Sequence, residues 1–333
     1  MHLDLAFMTN TLGQIPALAR AAEALGFGAA WTSETQHDPF LPLALVGEHT
    51  QRLQFGTAVA IGFARSPMTL AHTAWDLADQ SGGRFLLGLG TQVKPHIEKR
   101  FGMPWPASPA HKLREMVLAL RAIWNCWQTG ERLNFRGEYF KHTLMTPFFN
   151  PGPIAHPHIP VYIAGVNTGL ARLCGEVCDG FHVHPFHTAR YLREVLRPAI
   201  AEGAARAGRD PARIALAASV FALTSAADRD LARSQIAFYA STPSYRPVLE
   251  HHGWTEIGER LSGLASQGQW GEMPGLIDDA MLAEFAVQAD SLPELAGPLK
   301  DRYTGLLDRV TLYRPFSPGL EDDGWRRLAQ ALA

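Results

Sequence analysis

The sequence predicts an α/β fold, a (β/α)8 (TIM) barrel. Three observations carry that prediction. Apolar runs of strand length alternate with stretches of helical spacing, eight strands in all. The strands are spread along nearly the whole of the 333 residues, which favours one barrel over an open doubly wound sheet with a second domain. Three runs end in small residues: Phe55-Gly56-Thr57-Ala58-Val59, Arg84-Phe85-Leu86-Leu87-Gly88-Leu89-Gly90, and Tyr162-Ile163-Ala164-Gly165. Ligand sites in α/β folds gather at the C-terminal ends of parallel strands, and such termini let a flat ligand approach the backbone.

Leu3 to Phe7 reads as strand one. Ile15, Leu18, Ala19, Ala22 and Leu25 share one helical face, and Gly26 supplies the C-cap. Gly28 to Thr32 is strand two, Phe40 to Thr50 a helix, and Leu53 to Ala60 strand three. Ser66-Pro67 is a helix start, serine as N-cap and proline in the first turn. Ser81-Gly82-Gly83 is a turn leading into strand four, Arg84 to Leu89. Leu113, Met116, Val117, Leu120, Ile123, Trp124 and Trp127 mark the clearest amphipathic helix. Thr129 to Pro160 breaks the rhythm with proline, glycine and aromatics. It reads as an insertion containing a hairpin around 135–140, because its apolar content argues against disorder. Val161 to Ala164 is strand five, followed by a helix capped at Asn167 or Thr168. Gly180 to His184 is strand six. Arg190 to Ala207 is helical with a kink at Pro198. Ile214 to Phe221 is strand seven, Asp308 to Tyr313 strand eight, and Asp322 to Leu332 a closing helix. Thr224 to Asp290 is too long for a plain connection and reads as a helical insertion over the barrel mouth. The whole, 1–333, is expected to be one domain with insertions at about 129–160 and 224–290.

Hydrophobic residues make up 47% of the chain and charged residues 19%, which suits a globular protein with a large core. The net charge is -2 with no basic block, so nucleic-acid binding has no electrostatic support. Apolar runs fall short of the roughly 18 residues a membrane span needs. Cys126, Cys174 and Cys178 do not form a disulfide or metal pattern, the last two lying at helical spacing. The expected location is the cytoplasm.

Glu34 and His37 follow strand two, where barrel enzymes place acids and bases. His182 and His184 alternate on strand six and point to one side. These four do not have the tight ligand spacing of a zinc site, and no metal is expected. His96 is either a substrate-side group or a surface histidine. Gly165-Val166-Asn167-Thr168-Gly169 opens a helix, either as a phosphate site built on free N–H groups or as a plain loop. There is no Walker lysine, which excludes a P-loop, no GxGxxG at the first strand, which weakens a dinucleotide-Rossmann reading, and no GxSxG elbow, which leaves serine-hydrolase chemistry without its nucleophile.

Phe55-Gly56-Thr57-Ala58-Val59 with Arg65-Ser66-Pro67, Ser81-Gly82-Gly83-Arg84-Phe85 through Gly90-Thr91-Gln92, and Ile163-Ala164-Gly165 with Asp179-Gly180 together resemble the bacterial luciferase-like monooxygenases. The likeness covers Leu3 to about Phe221 and resumes at Asp308 to Tyr313. Trp75-Asp76-Leu77, His96-Ile97-Glu98, Arg100-Phe101-Gly102, His184-Pro185-Phe186 and 237–243 look like the subfamily of coenzyme F420-dependent oxidoreductases. The resemblance implies a cytoplasmic redox enzyme, dimeric or larger, acting on a small organic molecule. It implies cofactor contacts at Thr57, Ala58, Gly90, Thr91, Gln92, Gly165, Val166 and Asn167, and a cis peptide at Ala58-Val59. Gln92-Val93 stands where the best-known deazaflavin members carry a catalytic glutamate, which leaves His37 and Glu34 as the catalytic candidates. The implied reaction is hydride transfer with coenzyme F420. The alternatives are an FMN-dependent monooxygenase using oxygen, and a flavin-binding barrel without turnover. Substrate choice is expected to lie in 130–158 and 224–290.

Overall fold

The computed structural model describes residues 1–7 and 11–333. Eight parallel strands close on themselves: β1 (His2–Phe7), β2 (Ala29–Thr32), β3 (Gln54–Thr57), β4 (Phe85–Gly90), β5 (Val161–Gly165), β6 (Gly180–Val183), β7 (Ala215–Leu223) and β8 (Arg309–Leu312). Each pairs with the next, and β8 pairs with β1 through His2↔Arg309 and Leu3↔Val310. Helices between the strands pack outside: α1 (Ile15–Leu25), α2 (Leu41–His49), α3 (Pro67–Gln80), α4 (Pro109–Thr129), α5 (Thr168–Val177) and α6 (Arg197–Arg206). The barrel and the two insertions agree with the sequence reading.

Strand periodicity sorts the side chains into two cores. Leu3, Leu5, Phe55, Phe85, Leu87, Ile163 and Phe181 face the helices in the main core. Their neighbours Ala29, Trp31, Leu86, Tyr162 and Ala217 face the barrel interior. Interior glycines make room for them. A Cβ on Gly180 would lie 2.1 Å from the Tyr162 ring, and one on Gly88 would lie 1.8 Å from the Thr57 carbonyl oxygen.

The base of the interior is polar and fully paired. Asp4 accepts from Arg309 Nη1 at 3.1 and 3.2 Å and from Trp31 Nε1 at 2.9 Å, while Arg309 also donates to Gln54. Burial raises the Asp4 carboxyl, against which the Arg309 charge and the indole N–H act. Arg84, in the turn before β4, spends all its donors on one rim. It donates to the carbonyls of Ser81, Leu53, Gly47 and Thr50 and to Thr50 Oγ1, at 2.8–3.0 Å. That stretch therefore ties α2, β3 and β4 together at the N-terminal ends of the strands.

Local signals are borne out where capping decides. Gly26 has φ 89 at the end of α1, Ser66 Oγ accepts from Thr69 N, and Asn167 Oδ1 accepts from Leu170 N. Three details differ from expectation. Strand three does not run on to Ala60. It ends at Thr57, and Ala60–Ile61 forms a separate two-residue strand on β4, with a cis Ala58-Val59 peptide between them, the isomer the resemblance implied. The helix over 190–207 opens with an α-turn, Ala189–Tyr191, and widens to a π-segment, Leu192–Leu196, before α6. Proline lacks the N–H that would bond four residues back, so the ladder widens there. The segment between β7 and β8 holds α7 (Ala226–Ala240), α8 (Thr255–Ser266) and α9 (Asp279–Phe285), then an unforeseen strand, Ala286–Gln288, paired with Phe221 to Leu223. Three residues are too few to show a period of two.

The Asp4→Ala variant is expected to lose about 3–5 kcal/mol of stability, because it leaves the Arg309 charge buried without its partner. Asp4→Asn, which keeps an acceptor for the indole, should lose less. Urea unfolding of the three proteins measures both; equal midpoints would remove the pair from the account.

Candidate functional site

The C-terminal ends of β3, β4 and β5 are neighbours in the closed sheet, so their small residues meet at the barrel mouth. Thr57 is fully buried, and its hydroxyl donates to Gly88 O at 2.6 Å and accepts from Gly88 N at 2.9 Å. Its side chain staples β3 to β4, which leaves the half-buried Ala58 as the accessible residue of the pair. Gly90 packs against Val59, where a Cβ would come to 2.5 Å from Val59 Cγ2. Thr91 and Gln92 are half-buried, and Gln92 has φ 58, a left-handed conformation that is uncommon without glycine. Gln92 Oε1 accepts from Val93 N at 2.9 Å.

The loop after β2 braces this corner. Ser33 Oγ donates to Ala58 O at 2.8 Å, and Glu34 N donates to Val59 O at 3.3 Å. Glu34 Oε2 accepts from Ile61 N at 2.7 Å and from Arg65 Nη1 at 2.5 Å. The Glu34 side chain is only 7% exposed, so its carboxylate is committed to that clamp. Arg65 also reaches Asp38 at 3.3 Å. His37, three residues on, is exposed. The structure thus separates two residues that the sequence reading treated alike: one is held in an ion pair, the other is open to solvent.

At the end of β5, Val166 is buried and its carbonyl accepts from Tyr191 Oη at 3.1 Å. Asn167 is exposed and caps α5. Asn167 Oδ1 takes the Leu170 N–H and the Asn167 carbonyl takes that of Ala171. Among the described residues, no acceptor takes the N–H groups of Thr168 and Gly169. These free donors at the positive end of the helix, beside Gly165, suit a phosphate. With the small residues of β3 and β4 next to them, the donor set fits a flat ring that carries a phosphate.

His182 and His184 part company. His182 lies inside the barrel against Trp31, at 4.7 Å between centroids, and Tyr162, at 5.1 Å. His184 lies past the strand end, against Tyr239 at 4.7 Å and Tyr245 at 4.4 Å. Tyr239 Oη bonds Tyr313 Oη at 2.9 Å, and Tyr313 donates to Gln235 Oε1 at 3.2 Å. This aromatic wall, from α7 and the end of β8, was not identified as site residues from sequence. Sequence reasoning paired His184 with His182 on strand six, and the 237–243 stretch entered through the resemblance. Among the described residues, the group with metal-ligand spacing is His111 and Glu115, at the start of α4, with Glu138 of the hairpin. There Glu115 is occupied in holding a hairpin tip, accepting from the N–H groups of Glu138, Tyr139 and Phe140.

A model of the luciferase-like monooxygenase family matches residues 3–307. An uncharacterized protein of Mycobacterium tuberculosis is 50% identical over 311 residues, 90% of this chain and 91% of its own length. An F420-dependent glucose-6-phosphate dehydrogenase of Rhodococcus jostii is 35% identical over 190 residues, 55% of this chain and 54% of its own. Among solved structures, the coenzyme F420-dependent tetrahydromethanopterin reductase of Methanopyrus kandleri superposes with a TM-score of 0.78 at 21% identity, covering 99% and 98% of the two chains. The FMN-bound oxygenating constituent of 3,6-diketocamphane monooxygenase from Pseudomonas putida gives 0.70 at 16% identity, covering 100% and 98%. No helix of the described residues is long and apolar enough to cross a membrane.

Glu34→Gln should destabilise the fold by about 1–3 kcal/mol, since a buried charged acceptor is lost from Arg65. A thermal melt unchanged by this substitution would show that the clamp does not matter. A pH dependence follows from the histidines. Burial pushes His182 from its ordinary 6.5 down to about 3 and His187 down to about 4. The unfolded chain therefore binds the extra protons. Stability from these groups is complete above pH 6.5 and falls as the pH drops toward 4, by up to about 1.4 kcal/mol per pH unit for each histidine. Denaturation midpoints between pH 7.5 and 5 test this, and His182→Leu should flatten the decline.

Proposed function

The chain belongs to the luciferase-like monooxygenase family, and from that premise we propose that it is an oxidoreductase transferring a hydride between the deazaflavin coenzyme F420 and a small organic substrate. The observation that carries the reading is the junction of β3, β4 and β5 with the start of α5. Small residues there give a flat face, and two free N–H groups lie beside it for a phosphate. The F420 dependence of the Rhodococcus relative favours the deazaflavin. FMN with oxygen is the second reading, favoured by the FMN-bound monooxygenase that shares the fold.

Bound at this place, the cofactor supplies the hydride, and the chain supplies position and electrostatics. Ala58, Gly90 and Gly165 would line the ring, with Thr91, Gln92 and Val166 at its edges and Asn167 beside the phosphate. Thr57 acts from beneath by holding β3 to β4. His37 is the group proposed to exchange a proton with the substrate. It is exposed at the end of β2, whereas the Glu34 carboxylate is spent on Ile61 and Arg65. Glu34 therefore sets where the Ala58 to Ile61 segment sits, which serves geometry rather than proton transfer.

Titration of the purified protein with coenzyme F420 and with FMN, by calorimetry or fluorescence, tests the reading. Binding of the deazaflavin with weaker or no binding of FMN is expected. Tight FMN binding alone would overturn the choice of cofactor, and binding of neither would overturn the enzyme reading. Asn167→Asp keeps the helix cap but sets a negative charge beside the phosphate. It should weaken binding about tenfold or more, given the size of a Coulomb interaction at partial exposure. Unchanged affinity would move the phosphate to another strand.

A further inference from the structure

His184 stands between the two halves of the mouth. Its backbone N–H donates to the carbonyl of Gly165 at 3.4 Å, which sets it beside the end of β5. Its ring leans away, into the wall formed by Tyr239 and Tyr245. The backbone N–H of Phe186 donates to His184 Nδ1 at 3.1 Å. A ring nitrogen that accepts carries no proton, so the neutral imidazole is held as the Nε2–H tautomer. Among the described residues, no acceptor meets that Nε2. Two of the neighbouring hydroxyls, those of Tyr239 and Tyr313, are already directed elsewhere. Tyr313 gives its proton to Gln235, so Tyr239 gives its own to Tyr313. The wall therefore presents aromatic faces and, among the described residues, two unspent donors, His184 Nε2–H and the Tyr245 hydroxyl.

We propose that His184 Nε2–H is the hydrogen-bond donor that receives the oxygen of a neutral, largely apolar substrate, a carbonyl compound or the matching alcohol, held between the Gly165 end of β5 and the rings of Tyr239 and Tyr245. The inference rests on the proposed function, since it names the substrate class for the same mouth. The titratable groups facing His184 are His187 on its own turn, Tyr239 on α7 and Tyr245 just after it. Burial pushes the His184 imidazole down to about 3 and raises both tyrosines, so the cluster carries no charge at neutral pH. Uncharged donors in aromatic surroundings cannot offset a phosphate or carboxylate taken out of water. It can discriminate sharply for an oxygen, because a substrate lacking one leaves the N–H unpaired.

The test uses the full chain and three probes built on one phenyl ring, acetophenone, ethylbenzene and phenyl phosphate, followed by ligand-observed NMR titration. Wild type should bind acetophenone at least about tenfold more tightly than ethylbenzene or phenyl phosphate, the scale of one unmade hydrogen bond. His184→Phe should lose the preference, and His184→Gln, whose amide N–H reaches a similar point, should keep most of it. Equal affinity for acetophenone and ethylbenzene in wild type, or the preference surviving in His184→Phe, would overturn the proposal. So would a 15N spectrum showing His184 protonated on Nδ1 or titrating near pH 6.5. Coenzyme F420 and FMN titrations of His184→Phe separate this from the cofactor reading. Unchanged cofactor affinity is expected, and a cofactor that fails to bind wild type condemns the cofactor reading while leaving the probe comparison intact. Loss of cofactor affinity in His184→Phe alone would place the residue with the cofactor and sink the proposal.

Discussion

A closed barrel of eight parallel strands has an interior that only its own side chains can fill, and here the base of that interior holds a charge. Arg309 enters from the last strand and meets Asp4 from the first, 305 residues away, with Gln54 and the Trp31 indole completing the set. Taking such a pair out of water stabilises a fold only when the remaining donors and acceptors are also met. Both Asp4 oxygens accept, so the condition holds. Above this layer lie Tyr162, His182 and Leu86, and the interior is closed to a ligand from below. Whatever binds must enter from the C-terminal ends of the strands, as in other barrels of this architecture.

At that end the backbone is positioned by bonds that do not involve any ligand. Thr57 is bonded to both backbone groups of Gly88. Glu34 and Arg65 fix the entry and exit of the Ala58 to Ile61 segment, and Ser33 holds Ala58 O. A surface held in this way costs little to order when a ring is laid on it. The glycines of β4 have a structural share in this. Gly88 lets Thr57 approach, and Gly90 lets Val59 do so. The small residues at these strand ends are thus called for by tight strand packing itself.

The opposite wall is built differently. Tyr239 and Tyr245 come from the excursion outside the repeating strand–helix units, Tyr313 directly follows β8, and Phe186 stacks on Phe285 of α9 at 4.7 Å behind them. One half of the mouth therefore belongs to the barrel and the other to the long excursion before β8. The excursion half can change without disturbing the strands.

The strands, their order in the chain, the two insertions and the caps at Gly26, Ser66 and Asn167 were legible in the sequence. Each depends on residues within one or two turns of each other, through hydrophobic period or a side chain bonding its own helix start. The small-residue ends of strands three, four and five were legible for the same reason. What each side chain does at the mouth was decided by closure. Glu34 became a brace because Arg65, 31 residues away, reaches it. His182 and His184 share a parity on one strand, yet one is sealed against Trp31 and the other faces the excursion, because the strand ends between them. No local pattern carries such outcomes, since the partners are brought together only when β8 pairs with β1 and the excursion folds back over the strand ends.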